Sequence, residues 1–134
     1  MYKRMLIYLD AARTRLEELE GVLDLASALH ARLIALAVIG PESQNMSKEE
    51  KELRDELEDR TWNFLYGIED VAFEREIKIS LMLEEGEAEE RMASVARSYE
   101  ADICATFLYK EIKAGRLLGL LGGVPLLLLN QEGR

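Results

Sequence analysis

Asp10 is the residue whose type and position most strongly suggest ligand chemistry. It directly follows the apolar run 5–9, which is typical of a buried strand. A carboxylate at the end of such a strand can accept hydrogen bonds from a bound ligand. It can also accept them from backbone amides, because Asp is a favoured residue at the N-cap of a helix. The sequence leaves both roles open, and one carboxylate can serve both.

Two cations, one thiol and one imidazole complete the set of candidates. Lys110 and Arg116 could face an anion at the same cleft, although a solvated position on a short helix is the favoured interpretation. Cys104 lies inside an apolar run without a local His or basic neighbour, so we expect a buried, unreactive thiol. His30 has no His, Cys or Ser partner at motif spacing, and we assign it no chemistry.

Several common types of site are excluded because their sequence motifs are absent from this chain. A dinucleotide-binding domain carries G-x-G-x-x-G after its first strand, where this chain has DAARTR. A receiver domain carries an acidic pair there, an aspartate ending strand three and a lysine after strand five. Here Asp10 has no acidic neighbour, the third strand ends Leu83-Glu84 and the fifth ends in Asn130. Since the chain also lacks a Walker motif and any Ser/His or Cys/His arrangement, we expect no enzymatic activity.

The composition limits the partners and the compartment. A formal net charge of −9 argues against nucleic acid or an anionic membrane as a partner. One cysteine excludes an internal disulfide, and no Cys/His cluster exists for zinc. The apolar stretch 117–129 is broken by glycines and Pro125, and it falls short of the roughly 20 residues that a membrane span needs. We predict a cytoplasmic protein that forms one domain over residues 1–134.

The elements that must position these residues alternate regularly between strand and helix. Apolar runs predict strands at 5–9, 33–39, 76–83, 102–108 and 125–129. Helical spacing predicts helices over 13–30, from 47 onward past 71, from 86 onward, and over roughly 111–121. Such alternation indicates an α/β fold with a parallel sheet and helices on both faces. The polar residues between the apolar ones of strand three predict a partly exposed edge.

Each predicted helix has an apolar stripe that should face the sheet. The residues are Leu16, Leu19, Leu23, Ala26 and Leu29 in the first helix, Leu53, Leu57, Phe64, Ile68 and Val71 in the second, and Met92, Val95, Ala96 and Tyr99 in the third. The second helix begins with a capping box of Ser47 and Glu50. Its acidic run 49–59 predicts a solvated face. Its aromatic residues, Trp62, Phe64 and Tyr66, could dock a partner, but packing in the core or at a dimer edge is the default interpretation.

Particular residues carry a resemblance to a known family. The first strand ends in an aspartate (IYLD), and the second ends LAVIG before a loop. A glycine, acidic residues, a helix and an Ala-Asp pair precede strand four in EEGEAEERMASVARSYEADICATFL, and the chain closes on VPLLLLN. In these features the whole chain resembles the universal stress protein family. The resemblance implies an adenine nucleotide alpha hydrolase-like sheet of order 3-2-1-4-5, with a ligand cleft outside the carboxyl ends of strands one and four.

The resemblance also implies candidate ligand-binding residues, with one departure. The candidates are Asp10, whose counterpart in the family binds a ribose hydroxyl, together with Val38, Thr106, Phe107 and Lys110. ATP-binding members carry a glycine directly after strand four, a second glycine three residues on, and a later Gly-Ser or Gly-Thr pair. This chain has no glycine there until Gly115, and none of its glycines precedes Ser or Thr. The family's phosphate site is therefore absent, and we expect no cofactor, or at most weak binding of an adenine nucleotide.

The C-terminal strand predicts how two copies associate. It is a hydrophobic edge that invites strand pairing, and family members commonly pair there. Val124, Leu126 and Leu128 are the candidate interface residues. We expect a non-enzymatic, homodimeric regulatory or binding module. Two alternatives remain open: a nucleotide binder with slow ATPase activity that uses Asp10, and a subunit that docks on a transporter or enzyme through the helix that carries Trp62.

Overall fold

The computed structural model describes residues 2–131, and a five-stranded sheet forms its centre. The strands are β1 Arg4–Tyr8, β2 Arg32–Ile39, β3 Ile79–Glu85, β4 Ile103–Phe107 and β5 Leu126–Leu129. Their order in the sheet is β3-β2-β1-β4-β5, and every neighbouring pair is parallel. The predicted number, direction and order of the strands are confirmed.

Four α-helices cover the two faces of the sheet. They are α1 Glu20–Leu29, α2 Lys48–Glu74, α3 Ala88–Ser98 and α4 Ala114–Leu121, and a 3₁₀ turn over Leu16–Leu19 precedes α1. Parallel crossovers are right-handed, and the chain moves outward to β3 before it crosses to β4 and β5. Helices α1 and α2 therefore lie on one face and α3 and α4 on the other, as the contacts of α2 with the 3₁₀ turn and of α3 with α4 require.

The core lies around the three central strands. All residues of β4 and the last four of β1 are buried, because helices cover both faces of these strands. The edge strands β3 and β5 are mostly half-buried. Residue register brings Tyr8 of β1 beside Leu36 of β2 and Thr106 of β4. The carboxyl ends of these strands thus meet at one edge of the sheet, where Asp10 follows β1.

Helix α2 begins as predicted but buries a different set of residues. The Ser47 hydroxyl accepts from the Glu50 amide at 3.1 Å, and the Glu50 carboxylate accepts from the Ser47 amide at 3.4 Å. Leu53, however, is 65% exposed, so its predicted place in the core is wrong. A helix of 27 residues is about 40 Å long, whereas a seven-residue strand spans about 23 Å, so the first turns extend past the sheet. The buried residues of α2 are Thr61, Leu65, Ile68 and Ala72.

Two other predicted helix faces need correction at their ends. The first helix starts at Glu20 rather than near Arg13, and Leu16 of the 3₁₀ turn is 38% exposed. In α3, Met92, Val95 and Ala96 are buried, but Tyr99 is 46% exposed. Tyr99 is the C-cap, with φ −101° and ψ 7°, so it no longer follows the helical period.

Three helices end through the same backbone device at the amino edge of the sheet. His30, Glu76 and Glu100 all have positive φ, between 53° and 59°. After each, the next amide donates to a carbonyl five residues earlier, as Ile77 does to Ala72 at 2.8 Å. This is the Schellman pattern, which usually carries glycine at the positive-φ position. It ends α2 sharply, and β3 therefore begins at Ile79 rather than at Glu76 as predicted.

The remaining boundaries differ by a few residues. Helix α3 starts at Ala88 rather than Gly86, and α4 starts at Ala114 rather than Glu111. The residues before α4 instead form a turn beside β1, which matters for the cleft. Within the described residues, no helix is long and apolar enough to cross a membrane.

Candidate functional site

Asp10 lies in a tight turn at the carboxyl end of β1. Its carboxylate accepts from the Ala12 amide, two residues on, at 2.9 Å, which is an Asx-turn. Its carbonyl accepts from the amides of Arg13 and Thr14 at 3.1 and 2.9 Å. The predicted N-cap role is wrong, because α1 begins ten residues later, at Glu20. The carboxylate holds the turn itself rather than the end of a helix.

The guanidinium of Arg13 occupies the space in front of this carboxylate. Its Nε donates to Asp10 Oδ2 at 2.9 Å, and its Nη2 donates both to Asp10 and to the carboxylate of Glu111. The guanidinium carbon lies 4.5 Å from the centroid of the Tyr109 ring, in a cation–π contact. The hydrogen bonds that Arg13 donates, first to Glu111 and then to Asp10, raise the pKa of Arg13 above its usual value. Arg13 is thus a fixed cation between two carboxylates.

Tyr109 closes the cleft from the side of β4. It comes two residues after the strand and is 4% exposed. Its hydroxyl accepts from the Asp10 amide at 3.2 Å and shares a hydrogen bond with the hydroxyl of Thr14. Its ring meets Tyr8 edge to face at 5.6 Å. We call Asp10, Arg13, Thr14, Tyr109 and Glu111 the Arg13 cluster.

The Arg13 cluster has a small net negative charge. Burial would raise the pKa of Glu111, but the hydrogen bond from Arg13 lowers it below the usual 4.5. Burial raises the pKa of Tyr109, and burial together with Glu111 raises that of Tyr8. The two formal negative charges of Asp10 and Glu111 outnumber the single positive charge of Arg13, and both phenols stay neutral at neutral pH. The sum is one negative charge, which does not favour an anion.

The other predicted ligand-binding residues lie around the cluster in unlike environments. Thr106 and Phe107, at the end of β4, are 0% and 1% exposed. Val38 is half-buried in β2, two residues beyond the register partner of Tyr8. Lys110 is exposed in the turn after β4. The fold brings Asp10 directly against this turn, through Tyr109.

Arg116 and Cys104 lie outside the cluster. Arg116 forms ion pairs with three glutamates near the start of α3, namely Glu87, Glu89 and Glu90. It joins α3 to α4 and does not face Asp10 as an anion site would require. Cys104 is buried in β4, and burial raises its pKa to about 12. The described residues hold no group of three or more His, Cys, Asp or Glu side chains placed to bind a metal ion.

Comparison with known proteins identifies the family. A family model described as "Universal stress protein family" matches residues 1–105, well over half of the chain. The chain belongs to the universal stress protein family. No curated protein is significantly similar to it in sequence.

Solved structures that share the fold include two from universal stress proteins and one of a hypothetical protein. One from Burkholderia pseudomallei is 24% identical, with a TM-score of 0.78 and 96% of each chain covered. The hypothetical protein MJ0577 is 21% identical, with a TM-score of 0.75, 100% of this chain and 99% of its own covered. A universal stress protein from Archaeoglobus fulgidus in complex with dAMP is 12% identical, with a TM-score of 0.65, 96% of this chain and 98% of its own covered.

Several backbone amides of the turn after β4 form hydrogen bonds within the chain. A phosphate cradle needs free backbone amides and room for close approach. Here the amide of Leu108 donates to Leu129, that of Tyr109 to Phe107 and that of Ile112 to Tyr109, at 2.9 to 3.2 Å. The Lys113 amide donates to the buried carboxylate of Glu89. Most amides of this turn are therefore already engaged within the chain.

Sequence reasoning missed most members of the Arg13 cluster. Helical spacing predicts Arg13 in one helix and Glu111 at the start of another, whereas both lie in turns. The spacing of Asp10 and Arg13, three residues apart, is compatible with an ion pair and was a usable signal. Nothing local pointed to the pairing of Arg13 with Glu111, 98 positions away. Only the parallel pairing of β1 with β4 brings those two turns together.

Proposed function

We propose that this universal stress protein is a non-enzymatic, dimeric regulatory or binding module that does not bind ATP in the family's usual way. The observation that carries the proposal is the position of Arg13. Its guanidinium stands between Asp10 and Glu111, over the ring of Tyr109. The chain's own side chains thus occupy the place beside Asp10 where a ribose would bind.

The charges and the backbone support the same conclusion about ATP. A triphosphate brings several negative charges to a cluster that already has one negative charge in excess. Lys110 and Lys113 are exposed cations of the turn after β4, and two cations are too few to balance the charge of a triphosphate. Most backbone amides of the turn after β4 already donate hydrogen bonds within the chain, so they cannot offset the charge of the phosphates.

A smaller, uncharged ligand is the second candidate. The Archaeoglobus relative is in complex with dAMP, so the fold can hold an adenine nucleotide. Adenosine carries no phosphate, so the negative charge of the Arg13 cluster does not repel it. It could bind to Asp10 once the Arg13 side chain moves aside. Apparent affinity falls in proportion to the fraction of molecules in the open state, so we expect weak binding of adenosine in the native protein.

Calorimetry with ATP, ADP and adenosine, with and without magnesium, tests the proposal. We expect no ATP or ADP binding in the micromolar range and adenosine binding weaker than about 0.1 mM. The reason is the closed Arg13 cluster and the engaged amides. Micromolar ATP affinity would contradict the proposal, since it would require phosphate donors that the described turn does not offer.

The substitution Arg13→Ala separates the effect of the guanidinium from that of the backbone. Removing the side chain frees both carboxylates, so adenosine affinity should rise about tenfold while ATP binding stays absent. Arg15→Ala is the matched control, because Arg15 is a more exposed arginine in the same loop, with an ion pair to Glu18. Equal adenosine affinity in wild type and Arg13→Ala would show that Arg13 does not close the cleft.

A homodimer through β5 is the second part of the proposal. Strand β5 pairs with β4 alone among the described strands, so one edge of it stays open. Leu128 is 42% exposed, Val124 and Leu126 are half-buried, and Leu108, whose amide donates to Leu129, is also exposed. A second copy paired at this edge would cover these side chains.

A further inference from the structure

The opposite edge of the sheet is also open, and it is long and apolar. Strand β3 has seven residues, ISLMLEE, and pairs with β2 alone among the described strands. Its first six residues are half-buried. Natural sheets usually protect such an edge with lysine, proline or a bulge, whereas β3 has neither residue. Its charged residues, Glu84 and Glu85, stand at its far end and are paired with arginines.

One flank of α2 overhangs this edge and is rich in aromatic side chains. At about 100° per residue, Trp62, Tyr66, Glu69 and Phe73 lie within about 60° of one another around the helix. The other flank faces the 3₁₀ turn and α1, since Gly67 lies against Leu16 and Arg75 pairs with Glu20 and Asp24. The aromatic flank therefore lies on the β3 side. Trp62 and Tyr66 are stacked there at 5.7 Å.

A cavity of about 850 Å³ lies between this flank and the start of β3. Ile77 and Ile79 supply apolar lining from the strand, and Phe73 supplies it from the helix. Phe73 is 82% exposed, a high value for a large apolar side chain. We call the cavity with the aromatic flank and the open edge of β3 the β3 groove. It offers backbone donors and acceptors on one side and an aromatic surface on the other.

The charges at the β3 groove favour a cationic occupant. Four carboxylates line the cavity: Glu69, Asp70, Glu74 and Glu76. None of the four has an ion pair or a side-chain hydrogen bond within the described residues, whereas each of seven arginines elsewhere pairs with at least one carboxylate. Arg32 and Lys78 line the strand side of the cavity, so the lining has two negative charges in excess.

We propose that the β3 groove binds an extended segment of a partner protein, which adds as a strand to β3 and carries an aromatic or aliphatic anchor flanked by lysine or arginine. The open backbone edge selects an extended chain, as in other strand-addition complexes. Phe73 and the cavity select the apolar anchor, and the unpaired carboxylates select the basic flanks. A second copy of this chain does not fit, because two such grooves face to face would bring eight unpaired carboxylates together.

The β3 groove is independent of the proposed function at the Asp10 cleft. It lies at the start of β3, whereas Asp10 follows the end of β1, so the two lie at opposite ends of the strands. It also leaves β5 free for a second copy. A dimer could therefore present two such grooves to partners.

A synthetic peptide tests the proposal directly. In a strand, alternate residues share a face, so the acetylated and amidated peptide Thr-Lys-Thr-Phe-Thr-Lys-Thr presents Lys, Phe and Lys together toward α2. We expect titration followed by amide NMR shifts to saturate at or below about 1 mM, with the shifts centred on residues 77–85. The peptide with both lysines replaced by glutamate should bind at least about tenfold more weakly.

Two pairs of variants connect the binding to the groove. Phe73→Ala should weaken peptide binding about tenfold, and Leu53→Ala, which removes an exposed leucine on the same helix, should leave it unchanged. Glu69→Gln with Asp70→Asn should weaken binding similarly, whereas Glu52→Gln with Glu56→Gln should not. All these side chains are exposed, so thermal melts should match the wild type.

Three outcomes would overturn the proposal. They are no saturable shift at 1 mM peptide, shifts centred on β5 or on the Asp10 turn, and equal binding of the lysine and glutamate peptides. A peptide methylated on the backbone nitrogens that face β3 distinguishes strand addition from loose adhesion. We expect it to bind at least about tenfold more weakly, and equal binding would exclude an added strand.

Discussion

At the scale of single residues, the chemistry of Asp10 depends on what Arg13 does. An isolated carboxylate at the end of a central strand would be available to a ligand hydroxyl. Here it accepts from the Ala12 amide and pairs with Arg13, which is held in turn by Glu111 and Tyr109. Each of these contacts uses acceptor capacity that a ligand would otherwise use. Asp10 lies at the carboxyl end of a central strand, whereas its contacts are those of a structural residue.

Cys104 provides a residue-scale prediction that involves no ligand. Its thiol is buried in β4, and burial raises its pKa to about 12. The thiolate is the reactive form, so alkylation by iodoacetamide at pH 8 should be slower in the native protein than in urea by more than about a hundredfold. Cys104→Ala gives the background signal, because it removes the one cysteine. Equal rates in the native and unfolded protein would show that β4 opens readily.

The sequence predicted one part of the site well and another part poorly. The place of Asp10 follows from an apolar run that ends in a polar residue, which is a local signal. The lack of glycine after β4 was also visible. The partners of Arg13 were not visible, because they depend on where two turns meet in space and on which rotamer a long side chain adopts. Local patterns carry no information about such contacts.

At the scale of elements, the Schellman ends of α1, α2 and α3 show how the helices return the chain to the sheet. All three carry a residue other than glycine at positive φ: His30, Glu76 and Glu100. A left-handed conformation costs such a residue about 1–2 kcal/mol. The left-handed conformation is kept at all three helix ends because each one turns the chain into the next strand within a few residues.

Replacing His30 with glycine should therefore stabilise the protein. Relief of the left-handed strain is offset in part by the greater freedom of glycine in the unfolded chain, about 0.4–1 kcal/mol. We expect His30→Gly to raise the free energy of unfolding by about 0.5–1 kcal/mol, measured by urea denaturation. His30→Ala is the matched control, since it removes the same side chain but keeps the strain. A His30→Gly protein less stable than His30→Ala would contradict this explanation.

Helix and strand types were predictable from periodicity, but helix ends and faces were less so. Val95 and Ala96 follow a stripe that stays buried, because the spacing in the middle of α3 matches the sheet beneath it. Leu53 and Tyr99 fit the apolar spacing of their helices. Leu53, however, lies where α2 extends past the sheet, and Tyr99 lies where α3 has ended. Apolar spacing describes which residues share a face. It does not describe how far the supporting sheet extends.

At the scale of the whole molecule, the strand order leaves β3 and β5 as edges with different chemistry. The order itself was predictable from the alternation of elements and from the family resemblance, because right-handed crossovers restrict the possible topologies. Two leucines at β5, Leu108 and Leu128, are exposed. The groove beside β3 has unpaired carboxylates. This difference supports both proposals, a second copy of the chain at β5 and a basic partner at β3.

The dimer proposed at β5 gives a prediction about the whole molecule. A standard interface buries about 800 Å² on each partner, enough to cover the leucines that flank β5. Multi-angle light scattering at micromolar concentration should therefore give twice the chain mass of 15.2 kDa. Leu128→Asp should shift the protein to monomer, because pairing would bury an aspartate beside its copy in the partner, without counter-ions. Leu53→Asp, at an exposed leucine on α2, is the control and should remain dimeric. A monomeric wild type, or a Leu128→Asp protein that stays dimeric, would show that β5 is not where two copies meet.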